Sequence, residues 1–414
     1  MSPTARATIS KAGGYISYSA AAMFGILLLL YAINAMDRMV FPLLASDVRK
    51  EYGFGVADTG LIATIFTLGM AVAGWPTGYL LTKFSRKAVF QMGGAIFSVG
   101  TILIACASGF ADMLVYRTAT GVGEAMQQIS LIAIATSYFV GARSFAIATT
   151  QVAFGLGNFA GPLLASAAVA VYGGWRGAFY ILGSAGLIMM IVVALAVRKS
   201  FTENQSENGT VRLIGGASNL INRNTIILTI MTLITGPILY AYLGLYSTFL
   251  REQMHFTPGD VATVMSFFGI GGLLAPIGGW LGDRFPQRRM LFLGYLALSI
   301  LGYLLFSKAD STIEHSILSL LWGFAHSGVI YVNLWSAQIK TVNANLTAKA
   351  SGLFISCMYA TSACGGYLMG NLVSKVGWSF AAMVQISGCA LLCMLLSVAI
   401  NGELMSKPDK EIAE

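Results

Sequence analysis

Charge is what this sequence has least of. Asp, Glu, Lys and Arg together make up 10% of its 414 residues, against roughly 25% in an ordinary soluble domain, and that scarcity excludes a water-soluble globular fold. Enzyme signatures are missing as well: the sequence has no Gly-x-Ser-x-Gly elbow, no His-Glu-x-x-His and no Gly-x-x-x-x-Gly-Lys-[Ser/Thr] phosphate loop. The chain is therefore read as no enzyme, and without a phosphate loop it is no primary ATP pump by itself. Strand alternation with a turn every ten residues is absent, which argues against an outer-membrane barrel. The five cysteines lie in apolar segments without metal-ligand spacing, so they read as small core residues, and neither a metal nor a cofactor is expected.

Apolar residues are what it has in excess: 56% of the chain, with 47 glycines and a mean hydropathy of +0.74. That is the composition of an all-α polytopic membrane protein, in which small residues let helices approach closely. Runs of about 20 apolar residues place twelve helices near 19–44, 57–82, 87–108, 112–139, 144–171, 175–198, 224–250, 258–283, 289–307, 314–339, 349–375 and 378–401. The first run is too long for a cleavable signal and stays as a helix. The one long hydrophilic stretch divides the chain into an N-terminal bundle, 1–198, a linker, 199–223, and a C-terminal bundle, 224–414.

Lys and Arg number seventeen in the loops on the side of the N-terminus and six on the other side. The positive-inside rule then puts both termini in the cytoplasm, for a multi-pass protein of the plasma membrane, the inner membrane in a bacterium. The net charge of +8 thus follows the loops and implies a lipid bilayer as partner, not nucleic acid. The halves repeat at an offset of about 201–203 residues: Gly78 through Lys87 matches Gly279 through Arg289, and Gly174-Trp175-Arg176 matches Gly377-Trp378-Ser379. Two pseudo-symmetric six-helix bundles imply a transporter with its site at the midplane between them.

Only four formal charges fall deep inside these segments: Asp37, Arg38, Arg117 and Glu124. Arg117 and Glu124, seven apart, share a helix face, with Gly121 between them and Gln128 continuing the stripe; Tyr31, Asn34 and Arg38 form another at i, i+3 and i+7. A charge at the bilayer centre costs at least ~2.5 kcal/mol and usually marks a substrate or ion path. The alternative is a structural ion pair locking two helices. Two acids and two arginines suit a proton-coupled carrier of a small organic anion, since arginine grips a carboxylate in a bidentate fork while an acid takes up a proton.

Other polar stripes are weaker. Trp322, His326 and Asn333 fall at i, i+4 and i+11 of helix 10, where His326 is either a proton relay, a substrate donor or a packing residue. Tyr242 and Tyr246 on helix 7, Tyr359 on helix 11 and Gln151 on helix 5 are substrate contacts if they face the cavity and packing residues if they do not.

These motifs resemble the major facilitator superfamily over essentially the whole chain. The Gly279–Arg289 loop, with Asp283, Arg284, Arg288 and Arg289, is similar to the superfamily's gating loop. The first-half copy departs from it, with Thr82 where the family has Asp and Ser85 where it has Gly. Arg117-x-x-x-Gly121-x-Gly123-Glu124-Ala125 resembles the fourth-helix motif, and Gly157-x-x-x-Gly161-Pro162 the fifth. Asn34-x-x-Asp37-Arg38 and Tyr138-Phe139-x-x-x-Arg143-x-x-Ala146 are similar to the anion:cation symporter branch, relatives of sialin, vesicular glutamate transporters and bacterial sugar-acid permeases. The resemblance implies a proton symporter of a mono- or dicarboxylate or sugar acid, with Arg38 and Arg117 on the anion and Asp37 and Glu124 coupling protons; a monomer is expected. The rival readings are a proton-coupled drug or cation antiporter, or a receptor on the same scaffold that does not transport.

Overall fold

A computed structural model of the chain describes residues 18–138, 143–203, 213–343 and 346–408. In lipid every backbone N–H and C=O must be paired within its own segment, so long apolar runs become helices. Twelve helical rods form among the described residues: α1 (Tyr18–Tyr52), α2 (Val56–Thr64 and Phe66–Lys83), α3 (Arg86–Ala105), α4 (Phe110–Tyr138), α5 (Arg143–Tyr172) and α6 (Arg176–Ala196) in the first half. The second half holds α7 (Arg223–Glu252), α8 (Pro258–Leu273 and Ala275–Arg284), α9 (Gln287–Ser307), α10 (Thr312–Lys340), α11 (Thr347–Ser362 and Gly365–Val376) and α12 (Trp378–Val398). Ten of these rods are long and apolar enough to cross a membrane. The other two are α4, diluted by its buried charges, and α11, interrupted after Ser362.

The halves repeat each other in packing. The pairs α1–α5, α2–α4, α3–α4 and α3–α6 of the first half recur as α7–α11, α8–α10, α9–α10 and α9–α12 in the second. Between the halves α2 meets α11, α5 meets α8, and α1 meets α7. Close approach depends on glycine at the first of these seams: a Cβ on Gly60 would overlap the Gly366 carbonyl, and one on Gly366 would overlap that of Gly60.

Helix α1 runs eight residues beyond its apolar stretch, because its charged end has partners. At the face opposite the termini, Arg251 of α7 pairs with Asp47 of α1 at 2.5 Å, and Arg49 of α1 pairs with Glu252 of α7. Among the described residues no ion pair joins the halves at the other face. The hydrophilic connection also carries structure: Leu213–Ile214 (β1) pairs antiparallel with Lys407–Pro408 (β2) beneath the second half.

Candidate functional site

Helices α1 and α4 run antiparallel, and their polar stripes interlock as a three-rung ladder. Asn34 Nδ2 donates to Gln127 Oε1 at 2.7 Å. Arg38 Nε stands 2.8 Å from Glu124 Oε2. Arg117 Nη1 meets Asp37 Oδ2 at 2.7 Å. Asn34, Asp37, Arg117, Glu124 and Gln127 are wholly inaccessible, and Arg38 is 3% exposed. The expected continuation at Gln128 belongs instead to Gln127, three residues past Glu124; Gln128 is only partly buried.

The two arginines differ in how fully they are engaged. Arg117 also donates through Nε to Ile62 O at 3.4 Å and through Nη2 to Ala63 O at 3.3 Å, both carbonyls lying beside the break in α2 at Ile65. Thr101 adds a hydroxyl to Asp37 Oδ1 at 3.3 Å. Gly121 makes this reach possible, because a Cβ there would overlap the Phe66 carbonyl and hold α2 away from α4. Arg38 is held less completely: its Nη2 and the Glu124 Oε1 have no hydrogen-bond partner among the described residues. Phe66 lies between the guanidinium groups, 5.8 Å from Arg38 and 4.8 Å from Arg117, and its π faces favour both cations. Phe154 covers Arg38 at 5.1 Å.

Around Arg38 both halves contribute phenols. Tyr31 of α1, Tyr240 of α7 and Tyr359 of α11 are its aromatic hydroxyl neighbours. Tyr240 packs edge-on to Phe66 at 5.7 Å, the same ring that Arg38 lies over. Tyr331 of α10 stands against Tyr359 and packs edge-on to Phe354 at 5.5 Å. One partly engaged guanidinium, one carboxylate and four phenols from both halves thus converge. Such a set can receive an oxyanion on Arg38 and hydrogen-bond its remaining oxygens.

The structure brings Tyr31, Asn34, Asp37, Arg38, Arg117, Glu124 and Tyr359 to this centre, and it places the other candidates elsewhere. Tyr242 stacks on Trp322 at 4.3 Å and donates to Ser319 at 2.9 Å; Tyr246 bonds His315 Nδ1 at 2.6 Å. Both therefore point into the interior of the second half, and Tyr240, two residues earlier, turns to Phe66 of the first half. His326 stacks on Trp322 at 5.5 Å, with neither ring nitrogen partnered among the described residues. Asn333 donates to Val329 O at 2.8 Å and to Gly278 O at 3.2 Å, tying α10 to α8.

The π-helical turn Phe324–Tyr331 separates Asn333 from the face of Trp322 and His326. Its wider turn shifts the phase of everything beyond it, so Tyr331 becomes the residue facing Tyr359. Gln151 is partly buried on α5. Where α8 ends and α9 begins, Arg284 lies over the Trp280 ring at 4.2 Å, Arg288 and Arg289 are exposed, and the side chain of Asp283 lies outside the described residues. So do residues 139–142 and the Arg143 side chain of the helix 4–5 motif.

Comparison with known proteins agrees with this architecture. The family model for the Major Facilitator Superfamily matches residues 27–365, and again 274–411. The chain is 25% identical to the probable sulfoacetate transporter SauU of Cupriavidus necator, covering 95% of this chain and 96% of that one. It is 24% identical to the sialic acid transporter NanX of Escherichia coli, over 90% and 93% of the two chains. Among solved structures, a bacterial homolog of the human lysosomal transporter Spinster, inward-facing and occupied, superposes with a TM-score of 0.74 at 15% identity, over 92% of this chain and 96% of that one. The nucleoside transporter NupG follows at 0.73 and 13%, over 91% and 99%. With a matching family model over most of its length and twelve helices in two repeated bundles, the chain belongs to the Major Facilitator Superfamily.

Proposed function

We propose that this transporter is a proton-coupled symporter of a small organic anion bearing one negative group, a carboxylate or sugar acid. The observation that carries this reading is the buried Arg38–Glu124 pair, whose Nη2 and Oε1 have no hydrogen-bond partner among the described residues and whose guanidinium lies against the Phe66 and Phe154 rings. Arg117 is already engaged by Asp37 and two carbonyls, so the anion contact falls to Arg38. The four buried charges cancel. A proton on Glu124 leaves one positive charge uncompensated, which is the charge of one anionic head. Protonation also releases Arg38 from its internal partner at the moment the substrate needs it, which makes binding of proton and anion mutually reinforcing.

A cation substrate fits this centre poorly, because its approach to Asp37 is occupied by Arg117 and its approach to Glu124 by Arg38. Relatives bearing the names of sulfoacetate and sialic acid transporters support an anionic cargo. The excess of basic residues on the terminus-bearing side supports cytoplasmic termini. A single chain supplies both walls of the site, in keeping with action as a monomer.

Purified protein screened against organic acids by thermal shift identifies the ligand, since a molecule that binds only the folded state raises its midpoint. Proteoliposome uptake of that acid then tests coupling. Accumulation driven by an inward proton gradient is expected. Saturable binding without accumulation would instead indicate a receptor, and uptake driven by an outward proton gradient an antiporter.

A further inference from the structure

A cavity of about 780 Å³ lies apart from the Arg38 centre, at the terminus-bearing end of the second half. Its charged lining comes from separate elements: Arg223 at the start of α7, Arg288 at the start of α9, Lys340 at the end of α10, and Glu403 in the segment after α12. Three cations face one carboxylate. None of the three forms an ion pair with a described carboxylate, and among the described residues their heads make a single, long hydrogen bond, Arg223 Nη2 to Ala399 O at 3.4 Å. A cavity lined by three cations and one carboxylate is net positive and favours an added anion.

The cavity is held in shape by its own bonds. Asn224 Nδ2 donates to Asn401 O at 2.7 Å and Asn401 N returns a bond to Asn224 Oδ1 at 3.0 Å, which fixes the segment after α12 against α7. Ser406 N donates to Lys340 O at 2.7 Å, so the same segment is fastened to α10, and β2 fastens it to β1. Gln287 Nε2 reaches Gly282 O at 3.1 Å across the turn between α8 and α9.

Its level in the membrane comes from the helix ends. The elements lining it all begin or stop there, and Phe285 and Ile400 add apolar lining beside the basic residues. Nearby Trp280, half-exposed beneath the Arg284 guanidinium, is the kind of aromatic found at the membrane–water boundary. A basic pocket between helix ends at this depth suits a lipid head group.

We propose that this cavity binds a phosphate-bearing anion, with the phosphate seated among Arg223, Arg288 and Lys340. The test uses the full chain in phosphatidylcholine nanodiscs. In one arm phosphatidylglycerol is titrated into the disc; in the other, inorganic phosphate and glycerol 3-phosphate are added to the buffer, and the thermal midpoint is read in each. Wild type is expected to gain a saturable rise in midpoint. Each cation removed, in Arg223→Gln, Arg288→Gln or Lys340→Gln, should weaken the apparent affinity about fivefold, with the midpoint in pure phosphatidylcholine unchanged.

Arg289→Gln removes a cation from the same face outside the cavity and should keep the wild-type response. A response to phosphatidylglycerol alone assigns the phosphate to a lipid, and a response to the soluble phosphates assigns it to a free metabolite; either supports the site. No response in either arm would overturn the proposal, as would loss in Arg289→Gln equal to that in Arg288→Gln. If a variant fails to insert, the remaining single variants carry the same comparison.

Discussion

Replacing each buried arginine with lysine should separate their roles, because the two are bound so differently. Lysine at position 117 keeps a positive charge near Asp37 but cannot span the contacts at 3.4 and 3.3 Å to the Ile62 and Ala63 carbonyls. Two hydrogen bonds at ~0.5–1.5 kcal/mol each put the loss of stability at about 1–3 kcal/mol. Arg117→Ala is harsher, since it leaves Asp37 buried without its partner, at a cost of ~3–5 kcal/mol; adding Asp37→Asn should recover most of that loss. Arg38 has fewer bonds to lose within the protein. Arg38→Lys should leave the thermal midpoint near wild type while removing a charge-assisted bond to substrate worth ~1.5–3 kcal/mol, a Kd weaker by roughly 10–150-fold. Thermal unfolding in detergent and calorimetric binding of the identified acid read the two quantities independently. The reverse pattern, with Arg117→Lys abolishing binding at an unchanged midpoint and Arg38→Lys destabilising without loss of affinity, would refute the division of labour.

Two further predictions rest on the second half. Tyr240→Phe should weaken substrate affinity by roughly 2–12-fold, one hydrogen bond's share, at unchanged stability. Tyr242→Phe, which loses the 2.9 Å bond to Ser319, should lower the thermal midpoint and leave affinity intact; equal effects of both on affinity would contradict the assignment. At the face opposite the termini, the Asp47–Arg251 and Arg49–Glu252 pairs are partly exposed, so each contributes only ~0.2–1 kcal/mol after solvent screening. Arg251→Asp should open that face and speed labelling of a cysteine placed at Ser247, and the swap Asp47→Arg with Arg251→Asp should restore the wild-type rate. Unaltered labelling in Arg251→Asp would show that the pair does not hold the halves together.

The first half's charged ladder was legible because charges in apolar runs are costly enough to stand out. Asp37, Arg38, Arg117 and Glu124 carry that signal on their own, whereas their pairing across α1 and α4, only an alternative in the sequence, comes from the structure. Phase is what the sequence concealed. Gln127 and Gln128 are equally polar neighbours, and only packing shows that Gln127 meets Asn34.

On α7, tyrosines at 240, 242 and 246 present three possible faces; a stack on Trp322 takes Tyr242, and Tyr240 turns toward Arg38. The π turn in α10 defeats any 3.6-residue projection, so Tyr331 was hidden and Asn333 appeared to line the cavity. Charged helix ends were invisible for a related reason. The apolar run stops at Leu44, whereas the ion pairs with α7 keep α1 helical to Tyr52.

The most direct test of coupling is Glu124→Gln in proteoliposomes loaded with the identified acid. The amide imitates the protonated acid in shape and charge, so Arg38 stays free for the anion and no proton is carried. Exchange of labelled for unlabelled substrate should continue near the wild-type rate, while a pH gradient alone should drive no accumulation. Asp37→Asn in parallel shows whether a second proton site contributes, and the two acids are scored as a pair because they titrate in one charge cluster. Glu124→Gln vesicles that concentrate the acid on a pH gradient as well as wild type would contradict the account.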